Sequence, residues 1–479
     1  MAQEKLSTYE KQRLENIQRN QELLRELQVP LNLIDRSSNT AVQVKKHVPK
    51  KEKKLPQQPT RASARLRGIA PTDEPDLKRQ ADTGEDAEGP NKKSKRIDQL
   101  NEADQTDFLK ILNQVRVMPN TEPSASINTS IEGEDPEQQK KTQKQLADQL
   151  SQLRIRHAWA TVKVTPDRIN ASAFHPSNSK RLACAADVSG HLGFWDVDGV
   201  TKEEDEESPV VYTYRPHTRT ITDLKFNPTD PSKLITTSYD GTIQFFDMEK
   251  ATFGSLVDAQ NYSYTSFDLT KDGRTLWFST SDGEVGQYDL RAAEPVVHLL
   301  RDKKIGCISL NPVHEHLLAA ASNDRTASVW DVRSMKKSLH EMEHGYSVTS
   351  AYWSPKGNKL ATTAYDDYVR VFALDSISDL ILQSAIRHNN HTGRWVTNFR
   401  ARWNENTVSS VNGLDHQHFV VGNMKHPVDV YSGETGEAIE QLYDGERITA
   451  IQAVVQFHPT TESTTLLCGN GSGRMVCWS

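Results

Sequence analysis

From about residue 154 to residue 479, short runs of apolar and β-branched residues alternate with clusters of turn-forming residues. Residues 233–238, with the sequence KLITTS, are one such run. Runs of this length and composition are typical of β-strands. Before residue 154 polar and charged residues dominate, and the only aromatic residues up to position 150 are Tyr9 and Phe108. The pattern therefore predicts a strand-rich domain over residues 154–479 and a polar tail over residues 1–150.

The strand-rich part consists of repeated units. An aromatic residue stands near the end of a strand-like run at seven places: Trp195, Phe246, Tyr288, Trp330, Phe372, Tyr431 and Trp478. Four of these aromatic residues follow an aspartate in a turn: Asp240, Asp282, Asp324 and Asp366. A spacing of roughly 40–60 residues is that of four-stranded units that pack radially. The units resemble WD40 repeats, which implies an all-β fold, a seven-bladed WD40 β-propeller.

The last unit completes only three strands before Ser479, which would leave an unpaired strand edge. Residues 156–164 precede the first full unit and alternate between apolar and polar positions. We expect this segment to supply the fourth strand of the last blade and to close the ring.

Residues 1–150 are predicted to form a largely disordered basic and polar tail with short helices, because so few apolar residues cannot offset the entropy of ordering. One helix is expected near residues 8–28, where Leu14, Ile17, Leu24 and Leu27 follow a capping box at helical spacing. Two more are expected at about residues 98–115 and 136–153. The helix near residues 8–28 is interpreted as a docking element for a partner or for the chain's own domain; the alternative is a marginal helix without a partner.

Two clusters of positive charge lie in this tail. Residues 45–67 carry nine lysines and arginines against one glutamate, and the second cluster comprises Lys92, Lys93, Lys95 and Arg96. Such clusters are typical of nuclear import signals or of non-specific phosphate contacts, and the alternative is a solvated linker. We expect the protein in the nucleus.

Composition and motifs limit the classes of function that the protein can have. The net charge of -6 argues against a uniformly basic surface but leaves room for a local one. No apolar run is long enough to span a membrane. The four cysteines fall in predicted strands without metal-ligand spacing, and no phosphate-binding loop, Ser/His/Asp order or carboxylate pair is recognisable. We therefore predict no metal, no cofactor and no enzymatic activity.

Positive residues recur where the predicted units lead into their innermost strands. In a propeller these positions face one mouth of the central channel, so five cations are expected at one rim: Arg168, Arg219, Lys304, Arg394 and Arg447. Neighbouring turns add Arg325 and Lys425. A focused positive mouth suits a polyanion such as DNA. The alternative is a chance arrangement of solvated surface charges.

The sixth unit is the longest, and its extra residues 387–395, with the sequence RHNNHTGRW, fall at the same mouth. Insertions into a rigid scaffold often carry function. Arg394 is expected to hold a phosphate, and Trp395 or His391 to stack on a base. The alternative is that Trp395 belongs to a strand and packs between blades.

Three groups of residues resemble the WD-repeat protein 76 family: YEKQRLENI at 9–17, SARLRG at 63–68, and TGRW at 392–395 together with GNMKHP at 422–427. This family is related to the small subunit of the ultraviolet-damaged-DNA-binding complex. The resemblance implies nuclear binding of double-stranded DNA, a preference for damaged duplex and a role in DNA repair. The sequence departs from that subunit in one place, because HTGRW at 391–395 stands where the subunit has an aromatic-Gln-His run.

The opposite end of the propeller offers an alternative function. Two segments look like the WDxR box by which substrate receptors dock onto the cullin-4 ubiquitin-ligase adaptor: Tyr288, Asp289 and Arg291, and Trp330, Asp331 and Arg333. An arginine at this place is also frequent in propellers without that role, so both interpretations stay open. A scaffold that binds chromatin proteins or chaperones is a further alternative.

Overall fold

The computed structural model describes residues 102–115, 136–203, 206–259, 261–292, 295–408, 413 and 415–479. The helix predicted near residues 8–28 and both basic clusters lie outside the described residues. No helix of the described part is long and apolar enough to cross a membrane.

Two helices come first in the described chain, α1 (Glu102–Leu112) and α2 (Pro136–Leu150), at two of the places where the sequence predicts helices. They are followed by the short strand β1 (Val162–Lys163) and then by blade one, which contains β2 (Ile169–Phe174), β3 (Leu182–Asp187), β4 (Leu192–Glu203) and β5 (Glu206–Tyr214).

Five more four-stranded antiparallel blades follow in chain order. Blade two contains β6 (Ile221–Phe226), β7 (Lys233–Ser238), β8 (Thr242–Asp247) and β9 (Thr252–Asp258). Blade three contains β10 (Tyr264–Leu269), β11 (Thr275–Thr280), β12 (Glu284–Asp289) and β13 (Val296–Leu299). Blade four contains β14 (Ile305–Leu310), β15 (Leu317–Ser322), β16 (Thr326–Asp331) and β17 (His340–Glu343).

Blade five contains β18 (Val348–Trp353), β19 (Lys359–Ala364), β20 (Tyr368–Ser376) and β21 (Asp379–Arg387). Blade six contains β22 (Arg402–Trp403), β23 (His418–Gly422), β24 (Val428–Ser432) and β25 (Ala438–Leu442). Blade seven contains β26 (Gln452–Phe457), β27 (Leu466–Asn470) and β28 (Arg474–Trp478), with β1 as its outer strand. The predicted seven-bladed propeller is confirmed.

The ring closes as the sequence predicts, through β1. Val162 pairs with Met475 and Lys163 with Arg474, and Ile155 forms a further bridge to Trp478. The strand is shorter than the predicted segment 156–164, because only two of those residues pair regularly. Val162 and Trp478 are nevertheless 1% and 3% exposed, so the closing contact is part of the core.

The repeated aromatic, aspartate and histidine positions serve the fold. The aromatic residues of the third strands are buried between blades, and all four cysteines are buried, as predicted. His217 lies 3.2 Å from Asp240 through Nδ1 and contacts the Thr236 hydroxyl through Nε2. Burial opposes ionisation of Asp240, but the hydrogen bonds from His217 and Thr242 outweigh it and hold the pKa of Asp240 well below its usual range.

The equivalent residues of blade five, His344 and Asp366, do not bond to each other. His344 donates from Nδ1 to the Met342 carbonyl and accepts from Thr362 at Nε2, both at 2.9 Å. Asp366 instead accepts from the backbone N–H of Gly345 and from Arg370. Blade five is therefore tied by two separate sets of bonds rather than by one histidine–aspartate pair.

Helix α1 packs on the outside of blades one and two through a single aromatic residue. Phe108 is fully buried, and its ring centre lies 4.5 Å from that of Tyr212, 5.1 Å from that of Phe194 and 6.1 Å from that of Phe246. The chain beyond the helix is fixed at Gln114, whose side-chain oxygen accepts from Lys180 at 2.9 Å.

Helix α2 packs beside blades six and seven. Leu146 and Leu150 are buried in one cluster with Leu442, Ile155 and Trp478. The helix therefore shields part of the core near the short closing strand. Both contacts involve residues up to position 150, in the segment that the sequence predicts to be a tail.

Candidate nucleic-acid interface

The antiparallel order of each blade fixes which loops share an end of the ring. The loops leading into the innermost strands lie at the same end as the turns between the second and third strands. We call this end the upper rim and the opposite end the lower rim. All eight predicted DNA-contacting residues belong to such loops or turns: Arg168, Arg219, Lys304, Arg325, Arg394, Trp395, Lys425 and Arg447.

The prediction that Arg447 stands directly before an innermost strand is wrong. The innermost strand β26 begins at Gln452, because the loop after β25 is longer than the sequence pattern suggests. Arg447 instead donates from Nη1 to the carbonyls of Ile155 (3.0 Å) and His157 (3.2 Å), and its Nε lies 3.8 Å from Asp444. The side chain therefore helps to hold the closing segment and does not add a free charge to the upper rim.

A tyrosine that the sequence analysis missed orients two of the predicted cations. Tyr239 lies in the turn between β7 and β8. Lys304 donates to its hydroxyl at 2.6 Å, and the Lys304 ammonium lies 4.9 Å from the ring centre. Arg219 donates to its carbonyl at 2.9 Å. These partners are neutral, so they position the cations of blades two and four without cancelling their charge.

The segment between β21 and β22, residues 388–401, reaches from blade five to blade one. Asn390 donates to the carbonyl of Ala364 in blade five at 2.9 Å. At the other end Thr397 donates to the Ile169 carbonyl in blade one, and Arg168 donates from Nη1 to the Arg394 carbonyl at 2.6 Å. We call this stretch the crossing segment; its backbone is held from both sides.

Trp395 lies in a turn of the crossing segment and is 78% exposed, so the interpretation that it packs between blades is wrong. The predicted inner strand starting at Trp395 is absent, since β22 begins at Arg402. Arg394 is also exposed, and its guanidinium carbon lies 5.4 Å from the indole centre. One face of the rim thus presents an indole beside a positive charge.

Most of the predicted cations of the upper rim are not paired with a carboxylate. Within the described residues no ion pair involves any of six of the predicted cations: Arg168, Arg219, Lys304, Arg325, Arg394 and Lys425. Nearby aspartates have other partners: Asp187 accepts from His191 at 2.9 Å, and Asp366 accepts from Arg370 at 3.0 Å. These six positive charges are therefore not cancelled by direct ion pairs, although the net charge of the whole chain is -6.

The turn between the second and third strands has one residue with positive φ in every blade. In four blades it is glycine: Gly190, Gly241, Gly283 and Gly473. In blades four, five and six it is Arg325 (φ 77°), Asp367 (φ 62°) and His426 (φ 84°). A side chain there costs on the order of 1–2 kcal/mol, and such strain is often retained at functional sites. Asp367 and His426 were not among the predicted site residues, although the break in the glycine pattern marks both.

One group in the described residues has the ligand types of a metal site. The ligand atoms of Asp167, Asp187 and His191 lie within 4.8 Å of one another. Both Asp187 oxygens already accept hydrogen bonds, Oδ1 from the Ser189 N–H at 2.8 Å and Oδ2 from His191 Nδ1. These bonds account for the cluster as part of the blade-one turn.

The lower rim carries the two predicted adaptor-binding boxes. Arg291 and Arg333 are 70% and 68% exposed, and each grips the aspartate two residues before it, Asp289 and Asp331, through Nε and Nη2. The arginine hydrogen bonds lower the pKa of both carboxyls to about 2. The aromatic residues Tyr288 and Trp330 are each only 6% exposed, so the surface of each box is the Asp-x-Arg fork alone.

Comparison with known proteins agrees with this architecture. The family model described as "WD domain, G-beta repeat" matches residues 208–247, 295–331 and 336–372, each running from an outer strand to the third strand of the next blade. The fold and these repeats define a WD40-repeat β-propeller protein.

The sequences of several known proteins match this chain along its whole length. The DNA damage-binding protein CMR1 of Phaeosphaeria nodorum is 33% identical, over 99% of this chain and 98% of the relative. The relatives of the same name from Aspergillus oryzae (32%, covering 100% of both chains) and Neurospora crassa (31%, covering 99% and 98%) are similarly related. The chain belongs to this family of fungal DNA damage-binding proteins.

Proposed function

We propose that the protein binds double-stranded DNA through its upper rim, prefers damaged duplex, and acts in the nucleus in the response to DNA damage, as a binding protein rather than an enzyme. The observation that carries this proposal is the set of upper-rim cations from blades one, two, four and six, whose described partners are neutral. A cationic concavity attracts the phosphate backbone whatever the total charge. The names of the relatives support the same function.

The salt dependence of binding tests the proposal. The logarithm of the affinity for duplex DNA should fall linearly with the logarithm of the salt concentration, by about 0.9 for each phosphate neutralised. Lys304→Ala and Arg394→Ala should each lower that slope by about one. Arg333→Ala, on the lower rim, is the matched control and should leave the slope unchanged. Binding that ignores salt, or a control that behaves like the rim variants, would contradict the proposal.

Damage preference is tested by comparing intact with ultraviolet-irradiated duplex of the same sequence. We expect tighter binding to the irradiated duplex. The difference in affinity should be the same at every salt concentration, because the phosphate contacts are the same in both duplexes. Equal affinity for the two would leave general DNA binding in place and remove the preference.

We propose as a second function that the lower rim recruits a cullin-4 type ubiquitin ligase through its adaptor. The supporting observation is that neighbouring blades three and four present the same exposed arginine fork, Arg291 on Asp289 and Arg333 on Asp331. Replacing both arginines by alanine should abolish co-purification with the adaptor and leave DNA binding intact. Arg394→Ala should weaken DNA binding and leave co-purification with the adaptor intact. Co-purification that survives the double substitution would refute recruitment.

A further inference from the structure

We propose that the upper rim of blades five and six holds an unpaired nucleotide base by stacking it on exposed aromatic side chains, so that the protein recognises local opening of the duplex. This inference rests on the proposed DNA-binding function and specifies what that surface recognises. Its ligand class is a single-stranded nucleotide within or beside a duplex.

The first observation is the exposure of two aromatic residues. Trp395 (78%) is the most exposed large hydrophobic side chain among the described residues, and Tyr346 is 59% exposed. Large aromatic side chains normally bury most of their surface, so their exposure at a positively charged rim indicates a partner with an aromatic face.

The second observation is that Trp395 stands on a fixed backbone. Arg168 holds the Arg394 carbonyl, and Thr397 holds the Ile169 carbonyl in blade one. The indole can therefore be presented without the entropy cost of ordering a loop on binding. The Arg394 guanidinium lies over one face of the ring, 5.4 Å from its centre, so a base stacked on the other face would have a positive charge close to its phosphate.

The third observation is a second aromatic group around His391. Its ring centre lies 6.1 Å from that of Tyr365 and 6.5 Å from that of Tyr346. Asp367 contacts His391 Nδ1 at 2.9 Å and accepts from the Asn390 N–H at 3.0 Å. Asp367 is thus a positioning residue, and its positive φ shows that a strained turn supports this arrangement.

The chemistry of these groups selects an unpaired base. In a paired duplex the base faces are covered by their neighbours, so aromatic side chains outside the helix cannot stack on them. An unpaired base exposes its face, and stacking on one aromatic side chain is worth a roughly 5- to 150-fold gain in affinity. Because every base has such a face, the site needs no particular sequence and no particular chemical lesion.

The test uses the full chain and two probes free of chemical damage: a fully paired duplex, and the same duplex with a short central bubble of mismatches. Fluorescence anisotropy should show tighter binding of the wild-type protein to the bubble. Trp395→Ala should weaken binding to the bubble by about 5- to 150-fold and leave the paired duplex unaffected. Trp395→Phe should keep most of the preference, and Tyr346→Ala should reduce it.

Ile377→Ala is the matched control, since Ile377 is 45% exposed in the β20–β21 hairpin at the lower rim of blade five. It should change neither affinity. Equal wild-type affinity for both probes, or a Trp395→Ala variant that weakens both alike, would overturn the inference while the DNA-binding proposal stands. Failure of the wild-type protein to bind either probe would overturn both.

Discussion

Replacing Arg168 by alanine separates two roles for this residue. The sequence suggests a direct phosphate contact, whereas the structure shows its guanidinium bound to the Arg394 carbonyl at 2.6 Å. A hydrogen bond from a charged donor contributes about 1.5–3 kcal/mol. If Arg168 mainly positions Trp395, its loss should weaken binding to a bubble probe by up to roughly 10- to 150-fold. The same change should then have little further effect in a Trp395→Ala background.

A double-mutant cycle on the bubble probe measures this coupling. Arg168→Ala and Trp395→Ala should be strongly non-additive, whereas Lys304→Ala and Trp395→Ala should add to within about 0.5 kcal/mol, since Lys304 is held by Tyr239 instead. Additive losses for Arg168 and Trp395, together with a salt slope lowered by about one in Arg168→Ala, would refute the positioning role and restore the direct contact.

Three further predictions concern the fold. Deleting residues 476–479 removes three side chains that are at most 3% exposed, and their burial contributes about 5–9 kcal/mol to a free energy of unfolding that is typically about 5–15 kcal/mol. Calorimetry of the shortened chain should therefore show no cooperative unfolding. A cooperative transition would contradict the role of blade seven in closing the ring. Phe108→Ala should cost about 3–5 kcal/mol of α1 docking, seen as faster hydrogen exchange over residues 102–112 with the propeller unchanged; unaltered exchange would show that Phe108 is not the anchor. Burial lowers the pKa of His418 from 6.5 to about 4 and that of His458 from 6.5 to about 3. As the pH falls, the unfolded chain therefore binds protons at these histidines before the folded chain does, and the free energy of unfolding should fall by roughly 2 kcal/mol for each histidine between pH 7 and pH 5. Denaturant unfolding at both pH values measures this loss, which His418→Gln should reduce.

The sequence predicted the parts of the fold that repeat. The third-strand aromatic residues and the aspartate turns recur in enough units to give the number of blades, and an unpaired last strand requires a partner from elsewhere in the chain. These features are set by local strand pairing, which a regular pattern reveals.

The errors lie where the spacing is irregular. Arg447 and Trp395 follow the two outer strands with long connections, β25 and β21, so counting from the repeat placed both too close to an inner strand. Tyr239 escaped notice because its role depends on Lys304, which lies 65 residues further along the chain. Phe108 begins a short apolar run with Leu109, Ile111 and Leu112, and this run does not indicate which surface of the propeller receives it.

The closing strand also affects the order in which the domain can fold. Thr161 contacts Arg474 across 313 residues of intervening chain. Joining segments so far apart carries a loop entropy of about 5 kcal/mol, and neighbouring blades must assemble before this cost is reduced. During synthesis, β1 leaves the ribosome long before β28 and has no partner until then. Until β28 has been synthesised, an apolar blade edge stays exposed. Chaperone binding or misassembly with a second nascent chain would therefore compete with ring completion at this step.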